Sequence, residues 1–277
     1  MSTPLPMTKG RRLALLLGVP IAVALIAWTG LTEVAYAGMD SYPVRLAVPV
    51  HGSTASLSAG TADVQVTQAA GSTLRLTGQA TYSLFRSTVT WHATPSGVIV
   101  SPRCHFFIGN CSFSFRAVLP AGKRAVLSDG SGNLTLRGLT GPVSAGTGSG
   151  DVQANLLSGI VSLQTGSGDV SGNGLSGPKV TLKAGSGDIA IARLASMDVV
   201  VSDGSGDISL TFSKVPSRVR VSDSSGDVKV VLPPGPTRYQ VDASTNSGNR
   251  SVHVPTTSGS AHVITVSDGS GDVSVTN

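Results

Sequence analysis

From residue 121 onward the chain alternates apolar and polar positions with a period of two. Val161 and Leu163, Val180 and Leu182, Val199 and Val201, and Val219 and Val221 each run up to a break of small residues. After the break the alternation resumes at Val170, at Ile189 and Ile191, at Ile208 and Leu210, and at Val228 and Val230. Ser, Thr, Lys, Arg and Gln fill the positions between. Period two with β-branched residues predicts short strands that bury one face, and no segment here has a helical period.

The break itself repeats. It reads Gly148-Ser149-Gly150-Asp151, Gly166-Ser167-Gly168-Asp169, Gly185-Ser186-Gly187-Asp188 and Gly204-Ser205-Gly206-Asp207. It continues as Ser224-Ser225-Gly226-Asp227, degenerates at Asn246-Ser247-Gly248-Asn249 and returns at Gly269-Ser270-Gly271-Asp272, with an early copy at Gly130-Ser131-Gly132-Asn133. A period of about 20 residues sustained over these copies predicts a repeat architecture. One unit of two strands cannot cover its apolar face alone, whereas units stacked at ~4.8 Å can, each strand pairing with its equivalent in the next copy. The predicted fold is therefore all-β, a parallel β-solenoid of GSGDV units. An antiparallel meander with GSGD hairpins is the competing topology, but it gives no reason for identical turn residues at every second connection.

Stacking places the turn aspartates above one another. Two such charges repel by roughly 0.9 kcal/mol at ~4.8 Å even in water. Hydrogen bonds from turn N–H groups, or bound cations, would offset this. The units bear a partial likeness to calcium-binding Gly-Gly-x-Gly-x-Asp repeats, which makes Asp151, Asp169, Asp188, Asp207 and Asp227 the weak calcium candidates. The period is about twice too long for those repeats and the first glycine pair is missing, so turn chemistry is the favoured role.

Ahead of the repeats, Leu13 to Leu31 carries no charge and follows Lys9, Arg11 and Arg12. As a helix it spans roughly 28 Å, enough to cross a hydrocarbon layer with its N-terminus in the cytoplasm. Ala35-Tyr36-Ala37 has the small-x-small pattern of a signal-peptidase site, so a cleaved signal competes with a retained anchor, and Arg11-Arg12 also admits a twin-arginine signal. All three place the remaining chain outside the cytoplasm. The expected location is the plasma membrane, single-pass, with the alternative of secretion after cleavage near Ala37. In that oxidising compartment Cys104 and Cys111 are expected to form a disulfide, with a reactive thiol as the minor reading.

The expected organisation is a cytoplasmic N-terminus (1–12), a transmembrane helix or signal h-region (13–31), a linker (32–48), an N-terminal β region with a disulfide-tied insertion (49–120) and the solenoid repeats (121–277). Gly60-Thr61-Ala62-Asp63-Val64 mimics GSGDV, so residues 49–79 look like a divergent start of the repeats. Residues 80–120 break the pattern and gather Trp91 with Phe85, Phe106, Phe107, Phe113 and Phe115. They are expected to cap or flank the stack, with an aromatic partner-binding surface as the sharper alternative. The chain stops at Asn277 just after a turn-strand junction. An uncapped terminal strand there would favour end-to-end self-association.

Composition narrows the function classes. Of 277 residues, 34 are Gly and 15 Pro, while charged residues make up 13% and aromatics 4%. Toward the net charge of +5, Lys9, Arg11 and Arg12 supply three charges at the N-terminus, Glu33 and Asp40 offset two, and 41–277 holds a surplus of four. That surplus is spread along the chain without a basic, aromatic-interleaved cluster, so no nucleic-acid partner is expected. His51, His92, His105, His253 and His262 have no metal-ligand spacing, and no nucleotide fingerprint or GxSxG elbow occurs. Ser176-Gly177-Pro178-Lys179 matches SxxK at a Gly-Pro corner, where chance explains it. A carbohydrate-active β-helix would use paired carboxylates such as Asp169 and Asp188, yet these are copies of one structural position. The sequence therefore predicts no enzyme, no catalytic residue and no cofactor.

The basic N-terminus, the Leu13–Leu31 span, the Cys104/Cys111 insertion and the GSGDV units from Gly130 to Val273 together resemble the bacterial cell-envelope family known as putative adhesins, a β-strand-repeat domain of unknown function. The resemblance covers most of the chain. It implies a surface-exposed, non-enzymatic β-solenoid. The expected function is thus a membrane-anchored extracytoplasmic binding or scaffolding module. Its partners would be the lipid bilayer through the N-terminal helix and envelope polysaccharide or surface proteins through the solenoid. An envelope-stress or signalling accessory is the alternative.

Overall fold

The computed structural model describes residues 18–23, 25–30, 38–105 and 110–277. Residues 18–23 and 25–30 are helical and exposed. Among the described residues no helix is long and apolar enough to cross a membrane. The rest of the Leu13–Leu31 span, the basic residues before it, Ala35-Tyr36-Ala37, Phe106 and Phe107 lie outside the described residues.

The chain divides into two compact units. One comprises Met1–Tyr42, Ala80–Thr88 and Arg103–Ser112, and the other Pro43–Gln79, Val89–Pro102 and Phe113–Asn277. In the smaller unit Cys104 and Cys111 are joined, with Sγ–Sγ 2.04 Å. Tyr82 Oη donates to Asp40 Oδ2 at 2.8 Å, and Tyr42 Oη donates to the Ser87 carbonyl at 3.0 Å. The Arg86 guanidinium sits 4.8 Å from the Tyr42 ring centroid, a cation–π contact. Ser83 Oγ accepts from the Asn110 N–H at 2.6 Å.

The larger unit is a mostly parallel sheet wound into rungs. Each rung runs one strand, a GSGD corner, a second strand and a short third side back to the next copy. Equivalent strands pair in parallel, with a register shift between Ile191 and Leu194 where 189–194 meets 208–212: Val143 with Val161, Val161 with Val180, Val199 with Val219 on one sheet. On the other sheet Val152 pairs with Val170, Val170 with Ile189 and Ile208 with Val228. This pairing rules out the meander for these units. The apolar positions face inward as the alternation predicts: Val161, Leu163, Val180, Leu182, Val199, Ile189, Ile208 and Leu210 are fully buried. Leu157, Leu175 and Leu194 fill the third side.

The order of the rungs differs from the order of the chain at both ends. Strand Thr54–Ser58 lies between Gly97–Arg103 and Arg124–Asp129, and Asp63–Ala69 lies between Cys111–Pro120 and Leu134–Arg137. The divergent first repeat is therefore not the outermost rung. Residues 97–102 and 113–120 form the rung beyond it, burying Phe113 and Phe115. At the C-terminal end Val263–Ser270 sits between Arg218–Ser222 and Gln240–Ser247, and Val273–Thr276 between Val228–Val231 and Arg250–His253. The expectation of an uncapped edge at Asn277 is corrected accordingly. The final strand is sandwiched, and the outer rung is made by residues 240–253. Repeated rungs carry the same alternation, so nothing local dictates which copy is outermost.

Candidate functional site

The GSGD corners build one continuous polar line. The aspartate that ends each corner uses Oδ1 to accept the backbone N–H of its counterpart in the next rung. Asn133 N donates to Asp63, and Asp151 N to Asn133, at 3.0 and 2.8 Å. Asp169 N donates to Asp151 at 3.0 Å, Asp188 N to Asp169 at 2.8 Å, and Asp207 N to Asp188 at 2.9 Å. Asp227 N donates to Asp207, and Asp272 N to Asp227, both at 2.9 Å. Asn249 closes the line on Asp272 at 2.7 Å. A carboxylate accepting a backbone N–H is a charge-assisted bond, which offsets the repulsion between neighbouring rungs. The column brings together all five calcium candidates, Asp151, Asp169, Asp188, Asp207 and Asp227. Among the described residues no group of three or more His, Cys, Asp or Glu is arranged to hold a metal.

The corner backbone is as tight as this stacking requires. Gly271 has φ +154, and a Cβ built there would meet the Gly226 carbonyl oxygen at 2.0 Å. Only glycine takes that conformation and that approach together.

A second column lies just inside the first, at the residue that precedes each corner: Asp129, Thr147, Thr165, Ala184, Asp203, Asp223, Asp268 and Thr245. Its threonines are donors. Thr165 Oγ1 donates to the Gly150 carbonyl of the rung before at 2.8 Å, Thr147 Oγ1 to Gly132 at 3.1 Å, and Thr245 Oγ1 to Gly271 at 2.9 Å. The aspartates cap their own turns through Oδ1, as Asp203 does on Gly204 N at 2.7 Å and Asp223 on Ser224 N at 2.8 Å. Asp203, Asp223 and Asp268 are only 5%, 6% and 5% exposed. The Oδ2 atoms of Asp129, Asp203 and Asp223 are buried without a hydrogen-bond partner. Burial pushes the carboxyls of Asp129 and Asp203 above the usual range, and burial together with Asp203 and Asp268 on either side pushes Asp223 up to about 6. Sequence reasoning passed over this column. Its signal was the fifth residue of the motif: the corner reads Asp-Gly-Ser-Gly-Asp at Asp203 and Asp268 but starts with Thr at 147 and 165.

Beside the outer column, Asn133, Thr135, Asp151, Gln153 and Ser171 line a polar cavity of about 230 Å³. A second cavity of about 340 Å³ is lined by Gln65, Gly78, Gln79, Ser114, Phe115 and Arg116. Both suit hydrogen-bonding ligands. The Ser176 and Lys179 pair sits on strand Ser176–Lys183, where residues three apart point to opposite faces, and Ser176 Oγ is engaged with the Leu157 carbonyl at 3.3 Å. His262 Nδ1 donates to the Pro216 carbonyl at 2.7 Å, and His253 Nδ1 lies 2.8 Å from Ser251 Oγ. In the smaller unit the Tyr82 hydroxyl holds the Asp40 carboxyl below its ordinary range. Trp91 and Phe85 are exposed, while Phe113 and Phe115 are core.

Three solved structures share this fold at low identity. A putative adhesin from Parabacteroides distasonis ATCC 8503 superposes with a TM-score of 0.57 at 15% identity, over 86% of this chain and 97% of its own. A putative lipid binding protein from the same organism gives 0.57 at 13% identity, over 84% and 96%. A putative adhesin from Bacteroides fragilis NCTC 9343 gives 0.53 at 14% identity, over 84% and 97%. No curated protein matches the chain. The sequence of one family matches residues 124–276, the run of rungs that carries all but Asp63 of the two columns, and by that match over more than half its length the chain belongs to the Toastrack DUF4097 family.

Proposed function

We propose that this protein is a membrane-tethered extracytoplasmic module whose rungs bind or scaffold components of the cell envelope, without catalysing a reaction. The observation that carries the reading is the Cys104–Cys111 disulfide downstream of a basic-then-apolar N-terminus. Disulfides persist in oxidising compartments outside the cytoplasm, and Lys9, Arg11 and Arg12 ahead of Leu13–Leu31 orient a span with the rungs outside. The naming of two of the solved relatives as putative adhesins and one as a putative lipid binding protein agrees with a binding role. The rungs offer ordered rows of Ser, Thr, Asn and Asp, a surface for polar polymers.

Fractionation of cells with sequencing of the mature N-terminus tests this. A carbonate-resistant membrane protein that retains Leu13–Leu31, and whose rungs are cut by protease added to intact spheroplasts, is the expected result. A mature chain starting at Gly38 replaces the tether with secretion. A cytosolic protein with two free thiols overturns the reading.

A further inference from the structure

The cations of this chain are scattered in sequence, and the parallel register gathers four of them. On the outward side of one sheet Lys179 pairs with Asp198 and Asp198 with Arg218, while Thr181 pairs with Val200 and Val200 with Arg220. Lys183 lies at the far end of the same strand as Lys179. At ~4.8 Å per rung and ~3.3 Å per residue, Lys179, Lys183, Arg218 and Arg220 occupy a strip roughly 10 by 13 Å. All four are exposed. Among the described residues none of them is ion-paired, so their charge is free to meet a ligand. Asp198 is the sole carboxylate in the strip, half-buried with its Oδ1 enclosed.

The strip has edges. On the rungs before it the outward positions are Ser144, Gly146, Ser162 and Gln164, and on the rungs after it Val263, Thr265, Gln240 and Asp242. A bilayer would meet the whole face and would need cations across it. A single extended polymer laid across three rungs needs only this width. Thr181, Val200 and Ser202 between the cations are short enough to let a chain lie flat.

We infer that the Lys179/Lys183/Arg218/Arg220 strip is a docking surface for a linear polyanion of the phosphodiester class. The attraction is electrostatic, so binding weakens steeply with salt and depends little on the polymer's neutral substituents. That such a polymer belongs to the envelope rests on the tethered reading above; the binding itself does not.

The test uses the full chain in neutral detergent with immobilised poly(glycerol phosphate), neutral dextran and phosphatidylglycerol vesicles as surfaces. Salt-sensitive binding to poly(glycerol phosphate) and none to dextran is expected. Arg218→Ser with Arg220→Ser should weaken it about tenfold and flatten its salt dependence, and Lys179→Ser with Lys183→Ser should do likewise. Arg137→Ser with Lys229→Ser removes equal charge from the other sheet and should leave binding unchanged. All three doubles lie outward and should keep the wild-type melting temperature, which circular dichroism checks. Equal weakening by the Arg137/Lys229 double, no binding to the polymer, or binding to the vesicles alone would each overturn the inference. Failure of membrane tethering in fractionation would leave these measurements standing.

Discussion

The backbone N–H of Asp272 donates to Oδ1 of Asp227 at 2.9 Å across 45 residues of sequence, and Asn249, which lies between them in the chain, donates instead to Asp272. The last rung is thus inserted between two earlier ones. This arrangement locks the C-terminus, because Val273–Thr276 must enter after residues 240–253 have left a gap, or before they close over it.

Deleting 273–277 should consequently behave as a core deletion. It removes Val273 and Val275, both fully buried, at about 2 kcal/mol each, and uncovers strand edges on Val228–Val231 and Arg250–His253. A loss on the order of 4 kcal/mol in urea unfolding, with aggregation through the opened edges, is the expected result. A deletion variant with the wild-type urea midpoint would contradict the sandwiched position.

The outer column makes a separable prediction. Asp188→Ala removes the acceptor of the Asp207 N–H and should cost about 1 kcal/mol. Asp188→Asn keeps an acceptor and removes a charge flanked by Asp169 and Asp207, so it should match or slightly exceed the wild type. Thermal unfolding of the two variants side by side reads the difference, and adding calcium should not restore Asp188→Ala.

At the corners, Gly271→Ala meets both a left-handed φ and a carbonyl oxygen 2.0 Å from the new Cβ. It should destabilise by about 3 kcal/mol or more. Gly235→Ala, where φ is +152 but nothing lies within 4 Å, should cost about 1 kcal/mol. The gap between them measures the steric part of the corner.

Much of the stack was legible in the sequence because its signal is local. Val161/Leu163 and Val180/Leu182 declare a buried face by alternation alone, and Gly60-Thr61-Ala62-Asp63 declares a rung by its likeness to GSGD. Rung order was not legible, since every rung presents the same alternation and any two can pair. Phe113 and Phe115 read as an insertion because the pairing that makes their strand a rung reaches far back in the chain, Ser114 to Asp63 and Phe115 to Val64. The cationic strip was hidden for the same reason: Lys179 and Arg218 become neighbours only through the rung between them. The aspartates at 203, 223 and 268 were in plain view, but a residue shared by half of the copies looks like drift until its burial is known.

The inner column sets a pH dependence. Where a rung has Thr at this position, the hydroxyl donates to a glycine carbonyl of the rung before, as Thr165 does to Gly150. A carboxylate at the same position has nothing to donate; a carboxylic acid has. The rise of Asp223 from 3.8 to about 6 means that the folded state holds this proton more tightly than the unfolded chain. The stabilisation is therefore complete below about pH 4 and is lost as the pH rises through about 6. Solvent at the corner screens part of the effect, leaving on the order of 1 kcal/mol, or about 3 °C in melting temperature for a chain of this size. Asp223→Thr supplies the donor at every pH. Because Asp129 and Asp203 keep their raised carboxyls, its melting temperature should still fall between pH 4 and 7 but less than that of the wild type, and above pH 6 the variant should be the more stable of the two. A parallel decline in both proteins would show that Asp223 is ionised throughout, and that the buried Oδ2 is reached by water.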